Sequence, residues 1–215
     1  MKFYVLTVVL TAVATLGLTW VVWRIGMRYR LYPEIRERDV HTTPKPRVGG
    51  VAMFLGVLVA FALSSQISYF SIIWSDPEAI WSILGAALLI VIVGVADDLW
   101  DLDWMIKLGA QFLAAGIVVG FGGIQIFYLP FGTQVVVSSW VSFAISVVAI
   151  VVVMNAVNFI DGLDGLVAGV ALIANAVFFV YSYLVVRDLG ESSYFNLASF
   201  LAAALIGVCL GFLPM

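Results

Sequence analysis

Two long apolar runs are separated by Asn155-Ala-Val-Asn-Phe-Ile-Asp-Gly-Leu-Asp-Gly-Leu166, which sets two amides and two carboxylates three residues apart. Ionisable side chains beside or inside apolar membrane segments are costly and face a partner, a cavity or a site. The three-residue interval keeps Asn155, Asn158, Asp161 and Asp164 on one side of a helical segment. Gly162 and Gly165 permit a sharp turn or a close backbone approach to a ligand. A plain helix end would also use Asn and Asp as caps and Gly as a breaker. Four polar residues in register exceed what an end requires.

A second cluster is Ala96-Asp-Asp-Leu-Trp-Asp-Leu-Asp-Trp104, followed by Lys107. Asp97 and Asp98 close an otherwise apolar run and repel each other unless a cation is near. A hard divalent ion with oxygen ligands and substrate phosphates fits that need, Mg2+ foremost. Lys107 can neutralise one carboxylate or hold a phosphate. Asp101 and Asp103 suit the simpler role of solvated interfacial acids. The third cluster, Arg38 to Gly50, contains the only histidine, His41, with Lys45 and Arg47 between prolines and a Gly-Gly pair. Arg47 offers a forked donor set for phosphate and Lys45 a point charge. Together the clusters hold the parts of phosphoryl transfer, in which positioning and charge neutralisation carry most of the rate.

The elements that must position these residues are membrane helices. The chain is 64% hydrophobic and 11% charged, with a mean hydropathy of +1.14, outside the range of soluble domains. Apolar runs lie at 3–23, 48–68, 79–96, 105–121, 141–154, 166–186 and 193–213. The expected fold is thus an all-α polytopic membrane protein with about seven transmembrane helices in one domain, residues 1–215. The stretch 124–137, β-branched and aromatic around Pro130 and Gly132, predicts a short external β-hairpin. Seven of the ten basic residues fall between Arg24 and Arg47. The positive-inside rule places that loop in the cytoplasm, the N-terminus outside and all three polar clusters on the cytoplasmic face. The same basic loop would also touch anionic lipid headgroups. The lone Cys209, in an apolar run, reads as a small packed hydrophobe, and no basic, aromatic-interleaved surface points to nucleic acid.

The order His41-Thr-Thr-Pro-Lys-Pro-Arg-Val-Gly-Gly50, Gly94-Val-Ala-Asp-Asp98, Lys107-Leu-Gly-Ala-Gln111 and Asn155–Leu166 resembles the polyprenyl-phosphate N-acetylhexosamine-1-phosphate transferases. The resemblance covers nearly the whole chain and is closest to the UDP-N-acetylglucosamine-type members. It implies a multi-pass enzyme of the bacterial cell membrane. Such an enzyme moves N-acetylhexosamine-1-phosphate from a UDP-sugar to polyprenyl phosphate and releases UMP, beginning lipid-linked glycan synthesis. It uses Mg2+, with Mn2+ as the alternative ion. By the same resemblance Asp97 and Asp98 deprotonate the lipid phosphate or lie at the metal, and Asp161 is the catalytic or metal-proximal acid. Gly162, Leu163 and Asp164 contact the uridine, while Asn155, Asn158 and Lys107 line the cleft. Direct attack and an aspartyl-phosphate intermediate are both compatible with these residues. Members are often homodimers, although no stretch here shows an interface.

Two departures stand out. An Asp-Lys-Pro sequence common after the first span is replaced here by Leu31-Tyr-Pro-Glu-Ile35. The later Gly-Asp-x-Gly-Ser metal motif and His-rich loop do not occur in these 215 residues. The expectation is therefore the N-terminal portion of an enzyme of ten or eleven helices, inactive as this portion alone. The competing functions are a CDP-alcohol type phosphotransferase and a transporter or ion-binding protein. The former needs Ala-Arg after its first Asp-Gly, where Leu163-Asp164 stands, and the latter places its acids nearer mid-bilayer.

Overall fold

The computed structural model describes residues 1–29, 49–131, 133–136, 138–160, 165–189 and 193–214. Its helices are α1 (Lys2–Arg28), α2 (Gly49–Ser64), α3 (Pro77–Trp100), α4 (Trp104–Gly120), α5 (Ser139–Ile160), α6 (Leu166–Leu189) and α7 (Ser193–Phe212). Each one grows from an apolar run, because a helix satisfies its backbone internally where no water can. Of the seven crossings expected, four helices are long and apolar enough by themselves: α1, α3, α5 and α6. A fifth arises only if α2 is joined to the 3₁₀ helix Ser68–Ser75, from which it is bent by 109°. α4 and the stretch Asn196–Phe212 are shorter. The 17 residues of α4 rise about 26 Å, below the roughly 30 Å hydrocarbon core.

Most of the stretch between the second and third apolar runs is the 3₁₀ helix Ser68–Ser75. Its Phe70 and Ile73 are buried and hold it against the bundle. Strand β1 (Tyr128–Phe131) pairs antiparallel with β2 (Thr133–Val136), Tyr128 opposite Val136 and Phe131 opposite Thr133. The segment leading to β1 docks on α5: the Ile126 amide donates to Ser146 Oγ at 2.8 Å and the Ser142 hydroxyl to Gln125 Oε1 at 3.1 Å.

The two ends of the bundle are chemically different. At one end, rings from five elements interlock. Tyr4 of α1 packs edge-on against Phe70 at 5.4 Å and Phe179 of α6 at 5.3 Å, and Phe61 of α2 against Phe200 of α7 at 5.1 Å. Such pairs add to what their buried area alone contributes. From there α1 and α7 run side by side in the same direction. Thr11 and Thr15 are fully buried, and the α1 backbone meets Gly207 and Gly211 of α7 so closely that neither has room for a Cβ. A Cβ at Gly207 would lie 2.6 Å from the Val8 carbonyl oxygen, and one at Gly211 would run into that of Ala12. Small residues at such an interface let membrane helices gain van der Waals contact that larger ones would prevent.

The opposite end gathers the C-termini of α1, α3, α5 and α7 and the N-termini of α2, α4 and α6. Three contacts show it: Phe212 lies against Gly49, Leu213 against Gly165, and Asn155 near the end of α5 against Gln111 in the first half of α4. Only five chain steps join Ile160 to Gly165, at most about 18 Å, so the two groups of helices share this end. Four of the seven tryptophans stand here, Trp20, Trp23, Trp100 and Trp104, and Trp74, Trp81 and Trp140 stand at the other. Two aromatic girdles with apolar helix surface between them are the signature of a bilayer-spanning bundle.

Candidate functional site

The site is built on the turn between α3 and α4. α3 stops because Asp101 turns left-handed, with φ 50° and ψ 66°, and its amide donates to the Asp97 carbonyl at 2.9 Å. Asp tolerates that conformation better than most residues. Asp103 then caps α4, accepting from the Met105 amide at 3.2 Å. Asp101 and Asp103 are thus exposed turn residues, in keeping with the simpler role given to them above. Asp97 is different. One of its carboxylate oxygens accepts from the Leu102 amide at 3.0 Å and lies 3.1 Å from Lys107 Nζ, and the other accepts from Lys107 Nζ at 3.2 Å. The carboxylate that closes the turn also fixes the cation one turn into α4.

One turn further along α4 from Lys107 is Gln111. Its Oε1 accepts from Asn155 Nδ2 of α5 at 2.6 Å, and the same nitrogen donates to the Val151 carbonyl at 2.8 Å. Below this pair Ala115, Val119, Val147 and Val151 form a dry α4–α5 contact. Polar and apolar levels therefore follow one helix face, Lys107 and Gln111 above Ala115 and Val119, at the four-residue spacing. Both bonds use the amide nitrogen of Asn155, and its Oδ1 has acceptor capacity of its own.

Of the expected site residues, the structure brings Asp97 and Lys107 into contact and places Asn155 on the neighbouring helix at the next level. Asp98 is exposed in the last turn of α3, and Asn158 is exposed three residues beyond Asn155. His41, Lys45, Arg47, Asp161, Gly162, Leu163 and Asp164 lie outside the described residues. Gly165, which follows them, has φ +73°, the left-handed backbone that glycine adopts without strain. Gln111 received no role from the sequence, although its i, i+4 spacing from Lys107 in an apolar run was the available signal. Among the described residues no three His, Cys, Asp or Glu side chains gather as a metal cage. The donor chemistry nonetheless fits Mg2+, which commonly takes only one or two carboxylates and fills its sphere with water and phosphate.

Fold and site together define a multi-pass helical membrane protein with an acid–lysine–amide cluster at one rim. The sequence profile of glycosyl transferase family 4 matches residues 80–215, and the chain belongs to that family. It is 35% identical over 206 residues to the decaprenyl-phosphate N-acetylglucosaminephosphotransferase of Mycobacterium leprae, covering 94% of this chain and 52% of that one. The Mycobacterium tuberculosis protein of the same name is 36% identical over 186 residues, 85% of this chain and 46% of its own length. A probable undecaprenyl-phosphate N-acetylglucosaminyl 1-phosphate transferase of Bacillus subtilis is 30% identical over 144 residues, 66% and 38% of the two chains. The chain spans about half the length of the mycobacterial relatives it matches.

Proposed function

We propose that the protein is the membrane enzyme, or the part of it, that transfers N-acetylhexosamine-1-phosphate from a UDP-sugar to polyprenyl phosphate. In that reaction an oxygen of the lipid phosphate attacks the β-phosphorus of the UDP-sugar. The new P–O–P linkage forms as the bond to UMP breaks. The observation that carries the reading is the Asp97–Lys107 pair held beside Gln111–Asn155 by three helices at one rim. A lipid headgroup and a soluble nucleotide can both reach such a place. A transporter would carry its acids nearer mid-bilayer in broken helices. Family membership and the names of the relatives support the same reaction class.

The residues divide the work as follows. Lys107, held beside Asp97, is the cation for a phosphate oxygen, and the Asn155 Oδ1 accepts from a donor group of the nucleotide-sugar. Asp97 and Asp98 supply oxygen donors for Mg2+, which would neutralise the charge on the diphosphate and the leaving UMP. Asp161, as catalytic or metal-proximal acid, and the uridine contacts Gly162, Leu163 and Asp164 follow Asn158 on the short link from α5 to α6. His41, Lys45 and Arg47 are assigned to phosphate from the loop between α1 and α2. The polar rim is cytoplasmic in a bacterial cell membrane, the N-terminus is outside, and the active unit is taken to be a homodimer.

The test is exchange of labelled UMP into UDP-N-acetylglucosamine, with polyprenyl phosphate and Mg2+, in the polypeptide that the full gene encodes. Asp97→Asn is expected to lower the exchange by about a hundredfold or more, the usual cost of losing one electrostatic group in an active site. Exchange undiminished in Asp97→Asn and also in Asp161→Asn would sink the assignment.

A further inference from the structure

α1 has 27 residues, so it is about 40 Å long, roughly 10 Å more than the hydrocarbon core it crosses. The excess falls at its C-terminal end, where the apolar run stops at Trp23 and Arg24 and Arg28 follow. A shallow surface groove along one face of α1 there is lined by Trp20, Val21, Arg24, Ile25 and Arg28, all of them exposed and all from this helix. The Arg24 guanidinium carbon stands 5.2 Å from the centre of the Trp20 ring. Stacking of this kind uses the guanidinium face and leaves its in-plane N–H groups for an anion. Among the described residues the ion pairs are Lys107–Asp97 and Arg187–Asp188, and neither Arg24 nor Arg28 takes part in one.

We infer that this groove is a binding site for an anionic diacyl phospholipid of the leaflet at the polar end. Its phosphodiester would sit between Arg24 and Arg28, with an acyl chain along Val21 and Ile25. The two arginines are four residues apart, about 6 Å along the axis. One phosphate accepting bonds of about 2.8 Å from each can bridge that interval. Depth fits as well, because the pair lies just past the Trp20–Trp23 girdle, where headgroups are. A polyprenyl phosphate also carries an anionic phosphate at the membrane surface but is not the occupant. α1 packs on α2 and α7, whereas the acid–lysine–amide cluster is built by α3, α4 and α5. An acceptor held at this groove would not present its phosphate there. The inference is independent of the proposed reaction.

Native mass spectrometry of the 215-residue chain in detergent, titrated with phosphatidylglycerol or phosphatidylcholine, tests it. One phosphatidylglycerol should be retained in preference to phosphatidylcholine. Arg24→Gln/Arg28→Gln should weaken that retention about thirtyfold and Arg28→Gln alone about fivefold, from the attraction of each near-surface arginine to anionic lipid. Both side chains are exposed, so the melting temperature without added lipid should not move; if the double variant misfolds, the single one carries the comparison. Equal retention by the folded variants, or equal retention of the two lipids, would overturn the proposal. So would displacement of phosphatidylglycerol by an equal amount of polyprenyl phosphate.

Discussion

Asp97 shows how a side chain proposed for chemistry can also hold a turn together. With Lys107 and Asp97 side chains 39% and 30% exposed, their ion pair contributes about 1 kcal/mol or less to stability. Its value is positional: it fixes an ammonium group at a rim where phosphate would bind. The 2.6 Å bond between Gln111 and Asn155 does the same for an amide oxygen. A double-mutant cycle on Gln111→Leu and Asn155→Leu, read by unfolding in detergent, should give a coupling of about 1 kcal/mol. Strict additivity would mean that the two side chains do not meet. Activity should fall further for Asn155→Leu than for Gln111→Leu if, as proposed, the Asn155 Oδ1 accepts from the nucleotide-sugar.

Between helices, packing rather than polarity joins α1 to α7. Buried hydroxyls line α1 at Thr7, Thr11, Thr15 and Thr19. Two of these serve their own helix, Thr7 donating to the Phe3 carbonyl at 3.0 Å and Thr19 to that of Thr15 at 2.7 Å. The partner helix contributes absence of bulk at Gly207 and Gly211. Gly207→Leu must push α1 away and is expected to cost about 2 kcal/mol or more, seen as a lower melting temperature in detergent. Gly85, also in a helix, has nothing within 4 Å of a Cβ, so Gly85→Ala should be neutral or gain up to about 1 kcal/mol. If both substitutions behaved alike, helix propensity rather than close approach would explain the glycines. Interlocking rings at one end and this glycine seam along the middle leave the other end free for polar groups.

For the molecule as a whole, the separation of an aromatic end from a polar end makes sidedness testable. Cys209 is buried, so single cysteines introduced at exposed positions should report cleanly. Asp103→Cys at the polar rim should react with an impermeant maleimide only after cells are opened. Ser138→Cys, exposed at the other end, should react in intact cells. The reverse pattern would place the cluster outside the cell and end the proposed reaction, because UDP-sugars are cytoplasmic.

Hydropathy was enough to read the helical membrane class, and the spacing of acids and amides was enough to single out Asp97, Lys107 and Asn155 as candidates. Those features are local: a run is apolar or not, and a polar residue stranded at its edge is visible without knowing its neighbours. The bend of α2 into a 3₁₀ helix could not be read that way, because it follows from where Phe70 and Ile73 find a core. Nor could the pairing of Gln111 with Asn155, which are 44 residues apart and meet only once α4 and α5 pack antiparallel. The contact of Gly207 and Gly211 with α1 is of the same kind. A glycine states that space is needed, and only the helix laid against it says for what.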